Sequence, residues 1–231
     1  MKLQVICDNE VAVEGFRPAW GFACMIGEDL LFDTGESEAV LFHNLQQAGV
    51  RPEDIKMVAV SHGDGDHTGG LAALVERNPS IRVVLHTAFP PDVITHMRNC
   101  GAKMTLTETF TELSPGIHVT GPYPTREQAL VIRSKAGLVV VTGCAHPDIV
   151  EILRNIHDNM AGPIDLVFGG FHLLNQTKDE TLKTIEAFRG FGVRRAGACH
   201  CTGPKAIQVF REQYGDDFLD VGAGLTIEIE T

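Results

Sequence analysis

Short apolar runs alternate with amphipathic stretches along almost the whole chain. Residues 3–7 read as a strand. The runs at 22–26 and 30–32 flank Gly27-Glu28-Asp29, which predicts a hairpin. Residues 38–48 carry apolar positions at helical spacing and stop at Gly49, where a helix C-terminus is expected. A strand at 55–60, a helix at 71–77, a strand at 81–86 and a helix at 92–100 follow. The second half repeats this order. Residues 130–134 and 138–142 predict a hairpin, then a helix at 148–159 with Pro147 ahead of it, and a strand at 165–168. A helix at 179–188, a strand at 195–199, a helix at 204–214 and a strand at 225–229 complete the pattern. The Pro-rich interruptions Phe89-Pro90-Pro91 and Gly121-Pro122-Tyr123-Pro124 read as turns rather than linkers. The expectation is an α/β chain forming one domain over residues 1–231. Two runs of the same grammar predict two sheets with helices outside both.

The chemistry concentrates where strands end. Directly after the run at 55–60 comes Ser61-His62-Gly63-Asp64-Gly65-Asp66-His67, four potential metal ligands within six residues. Gly63 and Gly65 allow a tight strand-to-helix turn, and α/β folds place chemistry at the carboxyl ends of strands. Imidazoles and carboxylates are the donors a divalent cation takes, and clustered acceptors are costly without one. Three later strands also lead into a histidine beside glycine: Gly143-Cys144-Ala145-His146, Gly169-Gly170-Phe171-His172 and His200-Cys201-Thr202-Gly203. If the strands run alike, these histidines converge with His62 and His67 at one edge. Alternation along a strand end would point Cys199 and Cys201 away from the His200 side. Cys7, Cys24, Cys100 and Cys144 lie in or beside apolar runs and read as small core residues.

Composition sets limits. The 231 residues are 44% hydrophobic and carry a formal charge of −11. That balance argues against coating nucleic acid and against docking on anionic lipid. The apolar N-terminal run is too short for a signal peptide, and no segment reaches the length of a membrane span. A cytoplasmic setting is expected, with the six cysteines as thiols rather than a disulfide framework. Oligomeric state is not legible.

These motifs resemble the metallo-β-lactamase superfamily over nearly the whole chain. Leu31-Phe32-Asp33-Thr34-Gly35 resembles its first motif, His62 to His67 its H-x-H-x-D-H motif, and His146 and His200 its third and fifth. Within the superfamily, Gly143-Cys144-Ala145-His146, Gly170-Phe171-His172 and Cys199-His200-Cys201-Thr202-Gly203 look most like the branch named for dihydropterin ribofuranosyl-aminobenzene phosphate synthase. The resemblance implies a four-layer αββα sandwich and one or two divalent ions (zinc, manganese or iron). It assigns His62, Asp64 and His146 to one ion and Asp66, His67 and His200 to the other, with Asp33 bracing the loops. Two departures stand out. Asp64 replaces a histidine and hardens the site, favouring manganese or iron. The bridging aspartate of the fourth motif is missing, and Phe168-Gly169-Gly170-Phe171-His172 stands there instead. His172 remains either a ligand or a substrate contact.

The implied activity is metal-dependent hydrolysis of a small-molecule phosphate ester or related ester, with a pterin- or sugar-phosphate in view. Asp66 would orient the attacking water, and His172 would stabilise the leaving oxygen. Lys205, beside the start of a helix, is a candidate anion contact, as are Arg17, Arg126 and Lys135. Two alternatives differ in kind: a di-iron protein reducing oxygen or nitric oxide, and a thioesterase-like or non-catalytic ligand binder on the same scaffold.

Overall fold

The computed structural model describes residues 1–122, 126–146 and 148–231. The turn read at Tyr123-Pro124 and the proline at 147 lie outside the described residues. The chain divides into two compact units, Met1–Glu108 with Gly222–Ile229, and Thr109–Val221 with Glu230–Thr231.

The first unit begins with three antiparallel strands, β1 (Lys2–Cys7), β2 (Ala23–Ile26) and β3 (Leu30–Phe32). After the helix α1 (Glu38–Gln47) the chain switches direction. The strands β4 (Met57–Ala59), β5 (Arg82–His86) and β6 (Lys103–Thr107) all run parallel to β3. Between them lie α2 (Gly65–Thr68), α3 (Leu71–Arg77) and α4 (Pro91–Asn99). Leu41 and Leu45 of α1, Leu71 and Leu74 of α3 and Met97 of α4 share one core with Leu31, Val58, Val83 and Leu85 of the sheet. That apolar stripe explains why amphipathic segments fold as helices against these strands.

The second unit is also a single mixed sheet. Its strands β7 (Thr111–Ser114), β8 (Ile117–Val119), β9 (Leu130–Ser134) and β10 (Gly137–Thr142) are antiparallel neighbours. β11 (Ile164–Gly170) and β12 (Arg195–Cys199) continue parallel to β10. All seven residues of β11 are buried, as a central parallel strand requires. Three helices, α5 (Ile149–Asn159), α6 (Lys178–Gly190) and α7 (Pro204–Tyr214), pack their apolar residues on this sheet. Phe171, Phe188 and Phe210 meet pairwise at 5.4 Å between ring centroids. The last strand, β13 (Thr226–Glu228), returns to the first unit and pairs antiparallel with β1.

The predicted elements are present, with four additions, the one-turn helix α2 in the motif loop and three strands. β6, β7 and β8 were not read from the pattern. β6 is largely exposed or half-buried and polar, and β7 and β8 have four and three residues, so none carries a sustained apolar period.

Candidate functional site

In each unit, candidate donors follow the carboxyl ends of parallel strands. In the first unit Asp33 follows β3, and Ser61 to His67 follow β4. Asp33 is fully buried and adopts φ 59°, a left-handed conformation unusual for a non-glycine residue. Its Oδ1 accepts the Ser61 backbone N–H at 2.6 Å. Its Oδ2 accepts the Ser61 hydroxyl at 2.8 Å and pairs with His67 Nδ1 at 2.7 Å. Ser61 Oγ, having donated to Asp33, accepts from His62 Nδ1 at 2.9 Å. One carboxylate therefore holds both histidines in the same tautomer, proton on Nδ1 and lone pair on Nε2. Thr34 locks the loop from behind, donating its N–H and hydroxyl to the His67 carbonyl. Gly69 is required here, since a Cβ would stand 2.2 Å from the Glu36 carbonyl oxygen.

The two Nε2 atoms face carboxylates. His62 Nε2 lies 3.3 Å from Asp64 Oδ2, and His67 Nε2 lies 3.6 Å from Asp66 Oδ2. Lone pairs directed at anionic oxygens repel unless a cation lies among them. This donor set fits a divalent ion bound through imidazole Nε2 and carboxylate oxygen, as the sequence implied for His62, Asp64, Asp66 and His67.

In the second unit the loops after β10, β11 and β12 leave the same end of three adjacent parallel strands. They carry His146, His172 and His200. Ala145, His172 and His200 all adopt positive φ, at 62°, 53° and 48°. With Asp33 they make four of the five non-glycine positive-φ residues among those described, and such strain concentrates at functional loops. His146 and His172 rings meet at 4.2 Å, while His172 is exposed and His200 buried.

A carboxylate that sequence reasoning missed organises this end. Glu127, 1% exposed, accepts the backbone N–H groups of Cys144 and Ala145 on Oε1, both at 2.8 Å. Its Oε2 accepts the His146 N–H at 2.9 Å and lies 3.2 Å from His146 Nδ1. The left-handed turn at Ala145 fans three N–H groups towards one point, an anion-binding concavity filled from within the chain. Glu127 opens the run Gln128-Ala129-Leu130, which is buried throughout.

Cys7, Cys24 and Cys144 are buried as expected, but Cys201 departs from the strand alternation. β12 stops at Cys199, and His200–Thr202 is a 3₁₀ turn, so strand alternation ends before Cys201. Cys144 Sγ lies 3.3 Å from His200 Nε2, and the Cys201 thiol donates to the Cys144 carbonyl at 3.5 Å. Cys144, His172 and Cys201 each offer a donor atom within 4.8 Å of the others. A hydrogen bond from the Cys144 side chain, aided by His172 and the nearby His200 ring, outweighs burial and pulls the Cys201 thiol down to about 5. In the first unit, burial pushes the Cys7 thiol up to about 12.

Lys205 is exposed in the first turn of α7 and lines a cleft of about 730 Å³ with Thr177, Lys178, Thr181 and Glu212. Asp165 is buried and ion-paired with Arg194 and Arg195 at the start of its strand, a structural role. No described helix is long and apolar enough to cross a membrane.

A model of the metallo-beta-lactamase superfamily matches residues 27–200. The 7,8-dihydropterin-6-methyl-4-(beta-D-ribofuranosyl)-aminobenzene-5'-phosphate synthase of Methanocaldococcus jannaschii is 27% identical over 250 residues, covering 88% of this chain and 85% of that protein. The crystal structure of Tm1679, a metal-dependent hydrolase of the beta-lactamase superfamily, matches over the whole of both chains, with TM-score 0.87 and 31% identity. YhfI from Bacillus subtilis, a metallo-beta-lactamase fold protein, matches over 98% of this chain and 99% of that one, with TM-score 0.67 and 18% identity, a likeness of fold alone.

Proposed function

The chain belongs to the metallo-β-lactamase superfamily, and from that premise we propose that it is a metal-dependent hydrolase of a small phosphate ester. The observation that carries this reading is the Asp33 network, which turns the Nε2 lone pairs of His62 and His67 towards carboxylates. The proposed ligands are His62, Asp64, Asp66 and His67 in the first unit, and His146 and His200 in the second. A divalent ion held by the first unit's donors would supply Lewis acidity and lower the pKa of water towards roughly 7. Asp66, half-buried, orients the attacking water while serving as a ligand. His172, exposed on a strained turn, donates a hydrogen bond to the departing oxygen. The name of the Methanocaldococcus jannaschii relative, which contains a ribofuranosyl phosphate, supports a phosphorylated, pterin- or sugar-like substrate.

The test is metal analysis of protein purified without added metal, followed by turnover assays on phosphomonoesters, phosphodiesters and thioesters. Zinc, manganese or iron should co-purify, and His67→Ala should lose both metal and turnover. Full activity in that variant removes the assignment.

A further inference from the structure

The geometry points to a thiophilic metal site in the second unit, formed by Cys144 Sγ, Cys201 Sγ and the His172 ring, that takes a d¹⁰ or similar borderline-soft ion. Neither sulfur belongs to the donor set assigned above. Three features support the site.

The first is distance. The three donor atoms already lie within 4.8 Å of one another. A tetrahedral ion with Zn–S of about 2.3 Å and Zn–N of about 2.0 Å separates its donors by roughly 3.5–4 Å. Closing onto an ion therefore takes about an ångström of side-chain movement at most. The second is accommodation. A Cβ on Gly170 would stand 2.7 Å from Cys201 Sγ and 2.4 Å from the Gly143 carbonyl oxygen, so the bare glycine leaves the room the sulfur occupies. The third is access. Cys144 and Cys201 are buried at 4% and 6% exposure, whereas His172 is exposed and gives an incoming ion its first contact. The two buried sulfurs and one exposed ring come from three different loops, held by strands in fixed parallel register.

Soft thiolate donors select ions that carboxylate and water do not hold well. Binding of a divalent ion replaces the proton on each thiol by a metal–sulfur bond, so up to two protons leave as two such bonds form. The inference does not depend on ester hydrolysis, because its readout is optical and needs no turnover.

The experiment titrates the reduced, metal-stripped full chain with cobalt(II), then displaces the cobalt with cadmium(II). A sulfur-to-metal charge-transfer band should appear in the near ultraviolet and bleach on cadmium addition. Cys144→Ser and Cys201→Ser should each diminish the band, and Cys199→Ser should leave it intact. His172→Ala, an exposed change, should keep some sulfur band while weakening cobalt binding at least about tenfold. It also serves if a buried serine variant fails to fold. A cobalt spectrum with no sulfur band overturns the inference, as does a band indifferent to both serine substitutions. An unchanged cobalt affinity in His172→Ala removes the imidazole from the site.

Discussion

The loops anchored by Asp33 and by Glu127 use one device with two chemistries. Each is a buried carboxylate of one unit, set beside loops that leave parallel strands, and each collects about three hydrogen bonds; the left-handed residue is the carboxylate itself at Asp33 and a member of the donating loop, Ala145, at Glu127. Asp33 binds one backbone N–H, that of Ser61, and otherwise side chains. It reaches the Ser61 hydroxyl and two imidazoles, one through that hydroxyl, and so fixes tautomers. Glu127 spends its bonds mostly on backbone N–H groups, and so fixes the path of the chain through Cys144, Ala145 and His146. The surroundings also differ. Around Asp33 the donors are imidazole and carboxylate, whereas around Glu127 two thiols join the imidazoles. A buried carboxylate can thus set either the electronics or the geometry of a site, and the atoms it touches decide which.

Alanine substitution tests the device where the effect is largest. Each carboxylate leaves about three buried donors behind, and unsatisfied donors cost about 1–3 kcal/mol apiece. Asp33→Ala and Glu127→Ala should therefore each lower stability by roughly 3–5 kcal/mol in urea unfolding. Asp33→Ala should be the worse of the two, because alanine at φ 59° adds about 1–2 kcal/mol of left-handed strain. Losses under about 1 kcal/mol would mean the loops are held by something else.

The amide substitutions separate tautomer control from chain-path control. In Asp33→Asn the oxygen can still accept from Ser61 N–H, but the NH₂ group now donates to His67 Nδ1. The imidazole proton then moves to Nε2, the atom facing Asp66, and metal affinity should fall about 10–100-fold. Nitrogen chemical shifts of His67 report the tautomer directly. In Glu127→Gln the carbonyl oxygen keeps the Cys144 and Ala145 N–H bonds, and only the His146 contacts suffer. Affinity should fall by the smaller end of that range, with no tautomer change in the first unit. Equal losses with unchanged His67 shifts would erase the distinction.

Much of this was legible in the residues, and the gaps have physical causes. Histidines at strand ends were visible because buried strands announce themselves as continuous apolar runs, and the residue after such a run is placed by topology. Asp33 was found because it sits in a motif. Glu127 was missed because nothing in a single glutamate distinguishes a surface charge from one whose partners are backbone N–H groups 17–19 positions away. The orientation of Cys201 was misjudged because strand periodicity was carried past Cys199, two residues into a 3₁₀ turn. The strands β6 to β8 were missed for lack of a period in short or half-exposed strands.

A third experiment sharpens the contrast in hardness. Asp64→His exchanges an anionic oxygen donor 3.3 Å from His62 Nε2 for an imidazole. Metal preference should shift from manganese or iron towards zinc in competition assays. The shift should reside in the first unit's donors, leaving the sulfur band of the second unit unmoved. An unchanged metal profile removes the argument from hardness.

The smallest expected effect comes from a site outside both loops. Thr177 caps α6 in a reciprocal capping box, its hydroxyl accepting the Glu180 N–H while the Glu180 carboxylate accepts the Thr177 N–H. Thr177→Ala removes half of that exchange at the helix start and should cost about 1 kcal/mol, lowering the melting temperature by about 2–4 °C. Asp165 and its two arginines remain to hold the neighbouring strands. If stability at the second unit's helices were coupled to the Glu127 loop, this small loss would also weaken cobalt binding. Unaltered cobalt affinity and sulfur absorption in Thr177→Ala would show that the buried carboxylate, rather than the general stability of the unit, sets the loop. A parallel fall in affinity would instead make Glu127 one contributor among many, and the contrast with Asp33 would lose its meaning.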